Sequence, residues 1–464
     1  MKRAQSITKI LALCLLALPF VRTPVQAEPL TLTECLEVAV AENPEMARAR
    51  FEKQEAELRL EKARAGYYPE LSLEALSGYK SRVNTTKQDD ISVPVSPGAP
   101  PMVIPGPEFE IGDNRQHDLA LSLRQPLYFG GQIKNGVRLF QAALAAARSR
   151  MDLEKRDIRH EVINAFYQLA MAEDFHKIAL AAGKQIDSHL TDAENLLSQG
   201  MIIKSDLYPI KIRRLETDLK VVQAENAIAR ARAALATAMG LAPDSPVDIA
   251  VDWEQQPPWP IPKNITTGAV ERAEQEIARQ QIEMAAAEAD IARAARLPGV
   301  GLTASTHYGW PGFTTNDPGW DTWWQAGVNI TWNIFDMGRR RHEQMAAREK
   351  VNRLDKARQA LDRRIDLDRI NCRLAYEEAC RQRIINKEKV VSARENYQTK
   401  ADNFRVGMAS GTDYLDAHTE LMTAETDLSI AAARVRVAWA DYLRSLGLDP
   451  EPPAGTRLRE GETR

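Results

Sequence analysis

The chain has 464 residues, a formal net charge of −3 and 44% apolar content. That length and balance allow a large core and exclude a chain too polar or too charged to fold. The slight acidity also argues against a nucleic-acid partner.

Residues 1–27 read as a secretory signal peptide. Lys2, Arg3 and Lys9 precede an apolar run, Ile10–Leu18, and Val25-Gln26-Ala27 supplies small residues for cleavage. The run is too short to span a bilayer. Leu13 before Cys14 is too large for a lipoprotein cleavage site, so no lipid anchor is expected. Removing the signal takes away Lys2, Arg3, Lys9 and Arg22 and no acid, which moves the net charge from −3 to −7. Cys35, Cys372 and Cys380 remain. They form no disulfide framework or metal spacing, and the seven histidines are scattered. No cofactor is implied.

The mature chain begins a first repeat, residues 28–241. A helix is expected over 33–66, capped by Thr33, with Pro44 as a kink or boundary and Gly66 as its end. The period then changes to two. Strands are expected over 71–79, where Leu71, Leu73 and Ala75 alternate with polar residues, and over 118–127, where Leu119, Leu121 and Leu123 do the same. Between them the proline-rich stretch 80–117 reads as a long exposed loop. Gln125–Gly131 (QPLYFGG) breaks the second strand. A helix follows over 132–199, with no proline and apolar residues at threes and fours: Val162, Phe166, Leu169; Ile186, Leu190, Ala193, Leu197. Such a helix is a rod of roughly 100 Å. Gly200 ends it. A further helix, 206–239, carries Pro209 in its first turn and ends at Gly240.

Residues 242–263 are a Pro-rich linker with Trp253 and Trp259, expected to pack in extended form against the rod. A second repeat occupies 264–448: helix 264–296, strands 300–308 and 323–332, long helix 339–406 and helix 413–446. On the last helix Leu421, Leu428, Val435 and Tyr442 recur every seven residues, as in a coiled-coil seam. The tail 449–464 is polar and expected to be disordered.

A shift of 207 residues superimposes the halves. Gly131 falls on Gly338, Gly200 on Gly407, Asp206 on Asp413, and Gly240-Leu241 on Gly447-Leu448. The chain is therefore an internal duplication. Four amphipathic strands cannot close a barrel, for which about eight are the bacterial minimum, and open edges are not tolerated in lipid. Several copies must therefore share one wall. Tyr67, Tyr68, Tyr128, Phe129, Trp310, Trp320, Trp323, Trp324 and Trp332 flank the strands and suit the lipid–water boundaries.

The duplicated helix–strand–strand–helix–helix order, the FGG and FDMG turns (Phe129–Gly131 and Phe335–Gly338) and the stretch Gly407…Asp413-Tyr414-Leu415-Asp416-Ala417 resemble the TolC-like outer-membrane efflux protein family over the whole mature chain. The resemblance implies a mostly α fold of long coiled-coil helices plus four barrel strands per chain. It implies a homotrimer forming one α/β-barrel tube: a twelve-stranded barrel in outer-membrane lipid and a helical tunnel in the periplasm. It further implies a passive exit duct of a tripartite efflux or type I secretion system. The partners would be a periplasmic membrane-fusion adaptor and an inner-membrane transporter of RND or ABC type.

Gly200 and Gly407 mark the helix turns at the end away from the strands, where such a tube must close at rest. Asp413 and Asp416, at i and i+3, share a helix face. In the family, acidic residues at these positions line the periplasmic aperture, so the pair is the candidate gate. Capping of the helix N-terminus is the competing explanation, and it is preferred for Asp206. The turn after Gly407 lacks the arginine that latches the gate in some relatives; Arg405, just before it, is the substitute to test. No GxSxG, HExxH or phosphate-cradling glycine loop points to an enzyme. The alternative function is a secreted coiled-coil scaffold without a membrane barrel. The sequence does not choose among drugs, metal ions and polypeptides as cargo.

Overall fold

The computed structural model describes residues 29–449, apart from 95, 99, 112, 255–256, 262–269 and 313–318. The expected signal peptide lies outside them, as does all of the expected tail beyond Asp449. The described helices are α1 (Leu32–Glu42), α2 (Pro44–Ala65), α3 (Gln132–Ser198), α4 (Lys204–Ala238), α5 (Ala273–Ala294), α6 (Arg339–Arg405) and α7 (Gly411–Ser445). The strands are β1 (Glu70–Tyr79), β2 (Asn84–Lys87), β3 (Ile91–Val93), β4 (Met102–Ile104), β5 (Glu108–Ile111), β6 (Arg115–Tyr128), β7 (Gly299–Trp310) and β8 (Asp321–Thr331). The chain divides into two compact units that do not follow the sequence repeats. One gathers the residues up to Ala47, Glu154–Val270 and those from Ile365 on; the other gathers Arg48–Leu153 and Glu271–Arg364. Each unit draws on both halves.

The sheet unit holds a four-stranded antiparallel sheet, ordered β1-β6-β7-β8. Its register separates two chemistries. One face carries Leu71 opposite Leu123, Leu73 opposite Leu121, Ala75 opposite Leu119, and Leu302 opposite Val328. The other carries the row Ser72, Ser122, Ser305 and Gln325, with Glu70, Arg124 and Thr303 beside it. The apolar face is bare: Leu73 is 68% exposed, Val328 61% and Ile330 67%. A water-soluble sandwich would cover such a face. The stretch expected as a loop between β1 and β6 carries two short hairpin pairings, β2 with β5 and β3 with β4. Alternation also corrects the aromatic belt. Trp323 and Trp324 are neighbours and so point to opposite faces. Trp324 is exposed. Trp323 stacks on His307 on the polar side, 5.1 Å between ring centroids. Trp310 donates to Asp113 Oδ2 at 2.8 Å.

The strand-to-helix turns need left-handed backbone. Gly130 and Gly131 have φ +63° and +88°, and their second-half counterparts, Met337 and Gly338, +55° and +81°. Gly130 is further constrained, because a Cβ there would meet the Ala294 carbonyl oxygen at 2.7 Å. Met337 is 83% exposed, which is why a side chain is accommodated there.

The helical unit is held by apolar seams. Val162, Phe166, Leu169, Ile186 and Ala193 of α3 are buried, as are Leu421, Val435 and Tyr442 of the heptad on α7. Where one helix was expected over 33–66, two are found. Thr31, not Thr33, caps α1 in a reciprocal box with Glu34. Asn43 separates α1 from α2: its Oδ1 accepts from Glu45 N at 2.8 Å and its Nδ2 donates to the Ala238 carbonyl at 3.0 Å. α4 begins at Lys204, so Pro209 sits in its second turn rather than its first. The described part of the linker packs against the helical unit's own helices. Leu30 N donates to the Asp248 carbonyl at 2.8 Å, Trp253 lies against Tyr167, and Tyr376 Oη donates to the Pro258 carbonyl at 2.8 Å.

Candidate gate at the helical tips

α3 and α6 end in the same way. Gly200 (φ +71°) donates to Leu197 O at 3.0 Å and Met201 to Leu196 O at 2.9 Å; Gly407 (φ +73°) donates to Phe404 O at 2.9 Å and Met408 to Asn403 O at 2.8 Å. These paired bonds satisfy the last carbonyls of each rod and need a left-handed residue, which glycine supplies without steric cost. The two turns touch: a Cβ on Gly407 would lie 3.7 Å from Met201 Cε. Ile202, Asp206 and Pro209 of one hairpin and Ala409 and Gly411 of the other line a cleft.

The acidic residues divide by environment. Asp413 N donates to Ser410 Oγ at 3.1 Å, while Ser410 Oγ donates back to Asp413 Oδ2 at 2.9 Å. Lys400 Nζ lies 3.9 Å from the other carboxylate oxygen. These hydrogen bonds from Ser410, and then the lysine, hold the Asp413 carboxyl below its ordinary value. Asp413 is thus a helix cap whatever else it does. Asp416 is exposed one turn on and makes no hydrogen bond or ion pair among the described residues. Asp206 accepts from Ile203 N at 3.2 Å in the first turn of α4. Arg405 has a clear direction: Nε reaches Asp192 Oδ2 on α3 at 3.4 Å, and Nη1 reaches Asp402 on its own helix at 3.2 Å.

Behind these charges all four helices of the tips share one apolar cluster, which includes Ile186, Leu196, Leu207, Ile210, Phe404 and Leu415. Within it lies a group with no signature in the sequence. His189 of α3 stacks on Tyr414 of α7 at 3.6 Å between ring centroids, with Phe404 edge-on at 4.3 Å. His418, one turn along α7, lies parallel to Tyr414 at 6.3 Å. Tyr414 Oη donates to the Gln185 carbonyl at 3.3 Å and is 2.9 Å from Tyr397 Oη. His189 and His418 are 3% and 2% exposed, and Nε2 of each is buried with no hydrogen-bond partner. The shift of 207 places neither on a histidine of the other half, so the duplication gave no hint of them.

On the polar face of the sheet, Ser305 Oγ is 3.0 Å from His307 Nε2, and His307 Nδ1 is 3.0 Å from Asp118 Oδ2. This is the hydrogen-bond order of a hydrolase triad. The serine, however, sits mid-strand in β7, which is paired on both sides. Its backbone is committed to the ladder, so no paired N–H groups are left beside Ser305 to receive an oxyanion. The row is a cross-strand polar contact.

Comparison with known proteins agrees with this geometry. The family model described as outer membrane efflux protein matches residues 35–241 and 272–448. Protein CyaE of Bordetella pertussis is 24% identical over 443 residues, covering 92% of this chain and 87% of its own. Among solved structures, the outer-membrane channel OprN superimposes with a TM-score of 0.74 at 20% identity, covering 91% of each chain. The outer membrane protein VceC of Vibrio cholerae gives 0.71 at 19% identity, covering 90% of this chain and 97% of its own.

Proposed function

Because this chain belongs to the outer membrane efflux protein family, we propose that it works as a homotrimeric exit duct closed at its helical tips by the residues around Gly200 and Gly407. The protein is an outer-membrane channel for efflux or secretion. The observation that carries this is the sheet itself, with one face bare and apolar, the other polar, and β1 and β8 each paired on one side only. Lipid is the solvent such a face suits, and neighbouring copies are what its edges require. Three copies bring twelve strands, in keeping with barrel sizes.

The chain performs no chemistry of its own in this reading. Transport is passive through a water-filled duct, with energy supplied by an inner-membrane transporter of RND or ABC type through a periplasmic adaptor. Asp413 and Asp416 would form two carboxylate rings at the narrowest point, and Asp206 would support the opposite hairpin. Arg405 would act as the latch by tying α6 to α3 through Asp192. Planar-bilayer recordings test the gate. Replacing Asp413 and Asp416 with alanine is expected to reduce cation preference and block by multivalent cations. Unchanged selectivity and block would remove both from the aperture.

A further inference from the structure

The tip holds two buried imidazoles in a place where the gate reading needs none, and this inference rests on that reading. His189 comes from α3 and His418 from α7, so the helices that would have to part each contribute one. Tyr414 lies against both rings.

The charges around them offer a proton no welcome. On α3, the Ala182 carbonyl takes the hydrogen bond of the other His418 ring nitrogen, and Asp192, one turn beyond His189, is engaged with Arg405. On α4, Arg213 and Lys220 bear on His418, and Glu216 is paired with Arg213 at 2.9 Å. On α6 the neighbours are Phe404 and the Tyr397 ring, and on α7 the Tyr414 ring. Among the described residues no carboxylate reaches either Nε2. An imidazolium here would be a buried charge without a counter-ion, which is costly enough that water must enter or the packing must open.

We propose that the His189–Tyr414–His418 stack is a proton-sensitive release of the closed tip, in which protonation of the two imidazoles drives α7 away from α3.

Burial pushes His189 down to about 4, with His418 adding to the effect. Burial likewise pushes His418 down to about 4, with Arg213 and Lys220 adding and the Ala182 hydrogen bond opposing. A histidine released to water titrates near 6.5. The packed tip therefore keeps its full stability above about pH 6.5 and loses it as the pH falls toward 4, about tenfold per histidine per pH unit. For the pair, the ratio of released to packed tips rises roughly a hundredfold between pH 7.5 and 5.5.

Hydrogen exchange on the full-length protein in detergent reads this directly. After correction for the intrinsic pH dependence of exchange, amides of residues 404–418 should lose protection at pH 5.5 relative to 7.5, while those of the β6–β7 ladder should not. The variant His189→Phe, His418→Asn keeps a ring in the stack and a donor for Ala182, and should show no such loss. Equal protection at both pH values in the wild type would overturn the proposal, as would the same loss in the variant. If the variant does not assemble, the wild-type comparison decides alone. Bilayer conductance is then recorded over the same range and should rise on acidification in the wild type only. A protein that forms no channels at any pH would count against the duct, while exchange would still decide the switch.

Discussion

Arg405 and Asp192 lie 3.4 Å apart, nitrogen to oxygen, and join the last turn of α6 to the last turns of α3. The pair is partly exposed, at 58% and 35%, so it contributes under about 1 kcal/mol to folding. In the proposed gate its effect falls on opening rather than on folding. Arg405→Ala is expected to leave thermal unfolding almost unchanged while increasing the open fraction in bilayers. The charge swap Arg405→Asp with Asp192→Arg should restore closure. A large fall in melting temperature with unaltered gating would assign the pair to stability.

Gly200 and Gly240 both adopt left-handed backbone, at φ +71° and +80°, yet they differ in surroundings. A Cβ on Gly200 meets nothing within 4 Å, whereas on Gly240 it would lie 2.5 Å from Asn43 Cα. Gly200→Ala should cost about 1–2 kcal/mol from backbone strain alone. Gly240→Ala must also push α1 and α2 off the end of α4, and should cost clearly more. Thermal unfolding of the two variants side by side checks the order; equal losses would contradict it.

Leu73 and Ser122 sit on opposite faces of the same sheet. Leu73→Arg places a charge on the bare face and should cost about 2–4 kcal/mol near the membrane midplane. Assembly into the outer membrane would fall accordingly. Ser122→Arg, on the polar face beside Arg124, should assemble. Fractionation with the outer membrane and heat-modifiable gel migration measure both, and normal assembly of Leu73→Arg would contradict a lipid-facing role.

Periodicity made much of the fold legible. Leu71, Leu73 and Ala75 announced a two-sided strand, and the glycines at one offset announced the duplication. Local chemistry was harder to place. The sequence points to Thr33 as the cap, whereas the reciprocal bonding with Glu34 that makes Thr31 the cap shows only in three dimensions. Pro44 marked the boundary between α1 and α2, but the bond from Asn43 to Ala238, 195 residues away, lies outside any local window. The gate shows the same division. Asp413 and Asp416 share a helix face by spacing and were proposed as a gate on the resemblance to the family, but the direction of Arg405 depends on α3. His189 and His418 sit 229 residues apart, and only packing brings them to the same tyrosine.

The middle of the sheet is the seam between β6 and β7, and these strands come from different halves of the chain. A polypeptide delivered to the periplasm amino end first therefore exposes an unsatisfied strand, and a greasy one, until the 170 residues between Tyr128 and Gly299 have followed. During that interval it is a template for mispairing with any sister molecule. Safe biogenesis consequently calls for an escort that holds the nascent product until its carboxyl half arrives, and gene fragments cut at the midpoint should yield aggregates rather than half-sized pores.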